Sequence, residues 1–288
     1  MKPFASAPLD VVHGHIDLSH GAGGRAMAQL IEQLFARALH NEFLAQGDDA
    51  ARLPACTGRL VIATDAHVVS PLFFPGGDIG SLSVHGTIND VAMLGAQPLY
   101  LAASFILEEG LPLADLARVV QSMAEAARAA GVPIVTGDTK VVERGKADGI
   151  FITTTGVGVL RDGVEVSGAY AQAGDVVLLS GPLGDHGMAI MSVREGLSFD
   201  APIVSDSAAL HGLVSDLLAA ASGVHVLRDP TRGGLSATLN EIAHPLGREA
   251  CRIGEVIADE RCFVQMHTRM GGRRMVDWLS AEALPRIC

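Results

Sequence analysis

At 288 residues, the chain is long enough for two domains of roughly 150 residues and for a substantial buried core, which excludes a mini-protein. Hydrophobic residues make up 49%, charged residues 18% and aromatics 4%, with 33 glycines; this balance belongs to compact α/β chains with many tight turns and excludes a disordered one. Lys and Arg number 21 against 32 Asp and Glu, a formal charge of −11, whose field repels nucleic-acid phosphates and anionic lipid and sets both aside as main partners.

The first residues, MKPFASAPLDVVHGHIDL, contain no apolar core of a secretory signal, and no stretch approaches the ~18 consecutive apolar residues of a membrane span. Cysteines at 56, 251, 262 and 288 show neither a C-x-x-C pair nor zinc-site spacing, which fits a reducing cytoplasm. In chain order, a Gly-rich turn at 20–24 (HGAGG) leads into an amphipathic helix marked by Ala26, Leu30, Ile31, Leu34, Phe35 and Ala38. Short apolar or β-branched runs at 59–64 (RLVIAT), 99–107 (LYLAASFIL), 132–136 (VPIVT) and 149–155 (GIFITTT) read as strands. Between them fall a helix over 79–94 and another marked by Leu113, Leu116, Val120, Met123, Ala127 and Ala130, closed by Gly131 as a left-handed cap.

Around 161–173 the sequence turns polar, the most plausible domain boundary. Beyond it the pattern predicts a strand at 175–180 (DVVLLS), helices near 185–195, 208–221 and after Gly234, and a strand near 252–257. The stretch from Met270 to Cys288 contains Pro285, which stops a helix from running to the end, and reads as a mobile tail.

P-loop, dinucleotide-binding, serine-hydrolase and zincin motifs are all missing. In their place a series of aspartates stands at apolar strand ends or in glycine-rich turns: Asp48 and Asp49, Asp65, Asp90 after Asn89, Asp138 in Gly137-Asp138-Thr139-Lys140, Asp185 before His186, and Asp229 in Asp229-Pro230-Thr231-Arg232. Carboxylates are hard ligands that suit Mg²⁺, which takes one or two of them together with phosphate oxygens and water. Adjacent glycines let backbone N–H groups approach phosphates, and Lys140 can neutralise one as a point charge. Gly–Asp pairs are also ordinary turn and cap chemistry. Cys288 is a thiol at the end of the sequence that could swing into a pocket, or an exposed cysteine at a frayed end.

Taken together, HGAGGRAM, DDAARL, TDAHVVSPLFFPGGDIGSLSVHGTINDVAMLGAQP, FILEEGLP, VTGDTKVV, GDHG, RDPTRGGL and the closing PRIC resemble the HypE family of hydrogenase maturation factors. That family sits within the ATP-binding superfamily of aminoimidazole ribotide synthetase, selenophosphate synthetase and thiamine-monophosphate kinase. The resemblance implies an α/β (α+β), two-domain aminoimidazole ribotide synthetase-like fold. It assigns 1–165 to an ATP/Mg-binding and dimerisation domain, 166–270 to a C-terminal α/β domain and 271–288 to a tail ending in a reactive cysteine.

The resemblance further implies ATP and Mg²⁺ as cofactors, with Asp48, Asp65, Asp90 and Asp138 at the acidic Mg–ATP positions. Asn89, Gly137, Thr139, Gly23 and Gly24 line the nucleotide, and Lys140 is the GDTK lysine. Cys288 matches the modified cysteine, which a carbamoyltransferase, HypF, carbamoylates. ATP-dependent dehydration then leaves a thiocyanate, whose cyano group passes to iron on a HypC–HypD complex and supplies the cyanide ligands of [NiFe]-hydrogenase. His20, Asp185 and His186 are candidate bases for the amide protons. A cytoplasmic homodimer is expected. The chain departs from the family after 242–243, where about fifty residues carrying βα units are skipped, so the second domain is expected to be shortened. Two other readings follow: a catalytically weakened accessory chain of the maturation machinery, or another ATP-dependent enzyme of the superfamily. Selenophosphate synthetase is disfavoured because no Cys precedes Cys56, and thiamine-phosphate kinase because Cys288 would be idle.

Overall fold

The computed structural model describes residues 8–246 and four strand segments beyond them: Cys251–Arg252, Glu255–Val256, Val264–His267 and Arg273–Val276. The Gly-rich turn opens α1 (Arg25–Leu30), which passes through a π turn (Ile31–Phe35) into α2 (Ala36–Ala38). There follow β1 (Leu60–His67), β2 (Phe73–Phe74), β3 (Gly77–Asp78), α3 (Ile79–Met93), β4 (Ala96–Glu108), α4 (Leu113–Ala130), β5 (Ile134–Val142) and β6 (Ile150–Leu160). The alternation read from the sequence is therefore present, with longer strands.

The first sheet has the order β1-β6-β4-β5; β4 and β5 run parallel, the other pairs antiparallel. Its covered face, with Leu101, Ala103, Phe105, Leu107, Ile150 and Ile152, shares one core with Leu30, Leu34, Phe35, Ile88, Leu116 and Met123 of the helices. The other face is open and leaves Leu60, Ile62 and Ile106 exposed.

α4 buries the expected stripe and ends at Gly131, whose φ of 69° is left-handed. α3 is capped by Asp78, which accepts hydrogen bonds from the amides of Gly80 and Ser81. It crosses α4 so closely that a Cβ on Gly80 would stand 2.2 Å from the Val119 carbonyl oxygen. Gly80→Ala is thus expected to cost roughly 1–3 kcal/mol by overpacking, read as a lower urea midpoint at an unchanged m-value.

β5 corrects one expectation. Gly137 to Lys140 is strand interior, not a turn: Gly137 pairs with Ala103, and a Cβ there would meet the Ala103 carbonyl oxygen at 2.4 Å. The glycine that looks like a turn signal is what lets β5 approach β4. Asp65 likewise lies inside β1, not at its end.

The second half contains α5 (Asp185–Arg194), α6 (His211–Ala220) and α7 (Gly234–Leu246), close to the expected helices. The strand expected at 175–180 is not formed, and Val176 and Leu178 are 70% and 78% exposed. The local run has strand composition, but no described segment offers it a hydrogen-bonding partner, and a lone strand has no stability of its own. The expected strand near 252–257 divides into β7 (Cys251–Arg252) and β8 (Glu255–Val256), an antiparallel pair. With β9 (Val264–His267) and β10 (Arg273–Val276) they form a sheet of order β10-β9-β7-β8. Four residues of the expected tail are therefore a strand; Cys288 lies outside the described residues.

Candidate functional site

Asp65 and His67 are two apart on β1 and so point to the same face. They pair with Thr154 and Ile152 on the covered side and look onto α3 at Gly86. A Cβ on Gly86 would lie 2.9 Å from His67 Nε2 and 3.5 Å from Asp65 Oδ2. Asp65 Oδ1 accepts the Ala66 amide at 2.9 Å, and its Oδ2 stands 3.4 Å from His67 Nε2. Burial pushes the His67 imidazole below its ordinary pKa; the Asp65 charge and the Ile152 backbone act in the opposite direction.

Asp90 follows Gly86 by one turn of α3. Burial, then the Asp65 charge, pushes its carboxyl up to about 6, against Arg228 and Arg232. Asp229 is also pushed up to about 6, first by burial and then by Asp90, with Asp65 adding to it and Arg228 opposing. The Asp65, Asp90 and Asp229 carboxylates therefore lie near enough to act on one another's ionisation, with the Arg228 and Arg232 charges near Asp90. Asp229 is the member that the sequence reading did not include in its site: its motif was visible, but its nearness to Asp90 is purely tertiary.

The second half is fastened over α3 by polar ties. The Ser205 amide donates to the Pro75 carbonyl at 2.8 Å, beside Gly76, where φ is +91° and a Cβ would meet the Ser205 nitrogen at 2.7 Å. His85 Nδ1 meets Ser207 Oγ at 3.1 Å. Asn89 spends its whole amide here, donating to the Ala208 carbonyl at 2.9 Å and accepting from the Leu210 amide at 2.7 Å. In this structure it is a clamp for the incoming chain. His186 belongs to the same seam: its ring stands edge-on to Phe74 with centroids 5.2 Å apart, its Nδ1 lies 2.8 Å from Ser205 Oγ, and its amide donates to Asp206. Asp185 opens α5 beside it.

Other expected site residues lie apart from these carboxylates. Asp138 and Lys140 pair with Ser104 and Ile106 on the open face of the sheet, the face opposite Asp65. Their side chains are joined at 2.9 Å, and the Lys140 hydrogen bond leads in holding the Asp138 carboxyl below its ordinary pKa. Thr139 is buried on the covered side and its amide bonds Asp138. Asp48 pairs with Arg52 at 2.7 Å. Gly23, with φ of +74°, and Gly24 have open space around them, and Gly21 of the same turn packs on Val141 of β5. His20 is buried, with Nδ1 accepting the Asp17 amide. A cavity of about 670 Å³ at the opposite end of β1, lined by Arg59, Arg161, Glu165 and Leu218 among others, contains none of these residues.

Among the described residues no three or more His, Cys, Asp or Glu side chains gather as a self-sufficient metal site. The described residues thus do not bring the four expected aspartates together. Asp65 and Asp90, crowded on one another, do fit the usual mode of Mg²⁺, which takes one or two carboxylates and completes its shell with phosphate and water.

Residues 47–160 match the family described as AIR synthase related protein, N-terminal domain, and residues 172–247 the AIR synthase related protein, C-terminal domain. The chain is 58% identical over 340 positions to the carbamoyl dehydratase HypE of Cupriavidus necator, covering 98% of this chain and 97% of that protein. With 340 positions against 288 residues, at least 52 positions have no counterpart here. A crystal structure of hydrogenase maturation protein HypE in complex with ATP superposes with a TM-score of 0.89 at 43% identity, covering 94% of this chain and 99% of that one. A HypE chain in a HypE–HypF complex gives 0.73 at 42% identity, with 87% and 99% covered.

Proposed function

Because the chain belongs to the HypE family of carbamoyl dehydratases in hydrogenase maturation, we propose that it uses ATP to dehydrate a carbamoyl group on its own Cys288 to a thiocyanate. The observation that carries the site assignment is the nearness of the Asp65, Asp90 and Asp229 carboxylates, which with burial raises the pKa of Asp90 and Asp229 to about 6. The raised pKa values of Asp90 and Asp229 favour a cation beside them, and glycine at 86 leaves room against Asp65 and His67 that a Cβ would take.

In this reading HypF, seen with the similar HypE structure, places the carbamoyl group on Cys288 Sγ. The amide oxygen then attacks the γ-phosphorus of ATP and ADP departs. The two N–H protons leave to bases, the C–O bond breaks with release of inorganic phosphate, and an S–C≡N group remains. Asp229, whose carboxyl sits near 6, is matched to accept a proton near neutral pH; Asp185 and His186, across the seam, are the other candidates. Asp65 and Asp90 would hold a nucleotide-borne Mg²⁺, which when bound offsets the charge on the transferring phosphoryl group. The Arg228 and Arg232 charges lie near Asp90. Asp138 and Lys140 form a second polar pair on the open face, while Thr139 on the covered side, and Gly23 and Gly24 in the turn that packs on β5 through Gly21 and Val141, are proposed to approach the nucleotide separately. The open sheet face with Leu60, Ile62 and Ile106 suits a closed two-fold homodimer. A HypC–HypD complex is the proposed acceptor of the cyano group.

The exposed run at 176–179 in a shortened domain favours a second reading, an accessory chain that is carbamoylated but no longer dehydrates. Mass spectrometry of the peptide containing Cys288 separates the two. The first reading expects one carbamoyl mass gained with HypF and carbamoyl phosphate, then one water lost after MgATP. Gain without water loss supports the accessory chain, and no gain rules out the first reading.

A further inference from the structure

We propose that the cavity at the start of β1 is a second ligand site, separate from the acids at Asp65, Asp90 and Asp229, and that it takes a small organic oxyanion: a phosphate monoester or a carboxylate with an apolar body. The cavity has a volume of about 670 Å³, inside the range of roughly 300–1,000 Å³ usual for small-molecule sites. Its walls come from Gly58 and Arg59 leading into β1, from the turn at 160–166 that leaves β6, and from the end of α6 with the residues after it, as far as Val224. It therefore lies where the first sheet meets the second half of the chain, the kind of junction at which ligand sites concentrate.

Strand pairing brings two guanidiniums here. The Leu160 amide donates to the Arg59 carbonyl at 2.8 Å, which carries Arg59 and Arg161 to the same end of the sheet. Arg161 is then held by a turn: its carbonyl accepts the Val164 amide at 3.2 Å, and Gly163 takes a φ of +73°. Arg161 is half-buried, and its Nε is buried without a hydrogen-bond partner; Arg59 is exposed. Among the described residues neither side chain is ion-paired. A buried cationic donor without an acceptor costs free energy that an apolar side chain of the same length would not. An oxyanion removes that cost, because guanidiniums offer it planar, charge-assisted hydrogen bonds. Asp162 and Glu165 also line the cavity. Both are exposed, so water satisfies their carboxylates, whereas the Arg161 Nε is shielded from it. That difference decides the sign of the ligand: the group in need of a partner is the cation. The same two acids disfavour a highly charged anion such as a nucleoside triphosphate. Leu160, Val166 and Leu218 supply an apolar wall, which fits a ligand with an apolar body better than a bare ion.

The test is calorimetric titration of the full chain with phenyl phosphate, benzoate and inorganic phosphate in turn, with and without a non-hydrolysable ATP analogue and Mg²⁺, and with thermal unfolding measured in parallel. Saturable binding of phenyl phosphate or benzoate is expected, tighter than that of inorganic phosphate, unaffected by the ATP analogue and accompanied by a rise in Tm. Whichever of the two binds more tightly tells the phosphate monoester from the carboxylate. Arg161→Met, which keeps the stem and removes the unpartnered donor, is expected to weaken binding about 10–100-fold, with the Tm of the ligand-free protein unchanged or higher. Arg59→Met is expected to weaken it about tenfold. Asp90→Asn should bind the probes as the wild type does, so a failure of the nucleotide reading leaves this result standing. No saturable binding by any of the three probes overturns the proposal, as does undiminished binding in Arg161→Met. Binding that the ATP analogue abolishes, or a loss in both arginine variants that tracks a lower Tm, overturns it as well. Inorganic phosphate binding as tightly as phenyl phosphate overturns the assignment to an organic ligand.

Discussion

An Asp90→Asn variant is expected to lose MgATP-dependent dehydration by about 100-fold or more, yet to unfold at a higher temperature than the wild type near pH 7.5. Asp90 is half-buried beside Asp65 and Asp229, and its carboxyl is pushed up to about 6, chiefly by burial. At pH 7.5 the folded protein therefore keeps it ionised at a cost. The shift of roughly two units corresponds to about 3 kcal/mol at full value, which partial solvent exposure reduces to about 1–2 kcal/mol. For a chain of this size that is a gain of roughly 2–6 °C in Tm. Because the folded pKa lies above the unfolded value of 3.8, the native state binds more protons between the two. The stabilisation is complete below about pH 4 and is lost as pH rises through about 6. Asp229, also near 6, contributes with the same sign.

Thermal unfolding of the metal-free protein should accordingly show Tm falling from pH 4 to 6 more steeply in the wild type than in an Asp90→Asn, Asp229→Asn double variant. A lower Tm for Asp90→Asn at pH 7.5 would show that its attraction to the Arg228 and Arg232 charges outweighs the crowding. Retained dehydration would remove Asp90 from the proposed machinery. Destabilised, crowded acids are what a cation-dependent site is expected to look like before its ligand arrives.

Strands such as RLVIAT and GIFITTT were legible because period and composition agree with the sheet they enter. The limit of that reasoning is visible at 175–180, whose run is equally strand-like yet unpaired. Pairing depends on residues elsewhere, and the chain is at least 52 positions shorter than its relative's alignment. The site shows the same division. Asp65 and Asp90 stood out as acids in apolar surroundings, and structure brings them together. Asp138 stood out for the same reason but faces the opposite side of the sheet, which depends on its pairing with Ser104. Asn89 was marked for the nucleotide because it adjoins Asp90; its role as a backbone clamp requires the chain at 208–210 to be folded over it.

Cys288→Ala is expected to abolish both carbamoylation and water loss, whereas Asp138→Asn is expected to slow only the second. The thiol is the one atom on which both steps depend in the proposed reaction. Cys288 lies twelve positions beyond Val276, the last described strand residue, a span of up to about 40–43 Å at 3.3–3.6 Å per residue. In the proposed reaction Asp138 acts through Lys140, which it holds at 2.9 Å. Asparagine removes the charge that anchors the lysine, so phosphate neutralisation weakens while transfer to Cys288, which uses the partner enzyme's site, continues. Mass spectrometry of the Cys288 peptide, sampled before and after MgATP, checks both. Equal loss of the two steps in Asp138→Asn would move Asp138 from the nucleotide reaction to docking of the carbamoyltransferase.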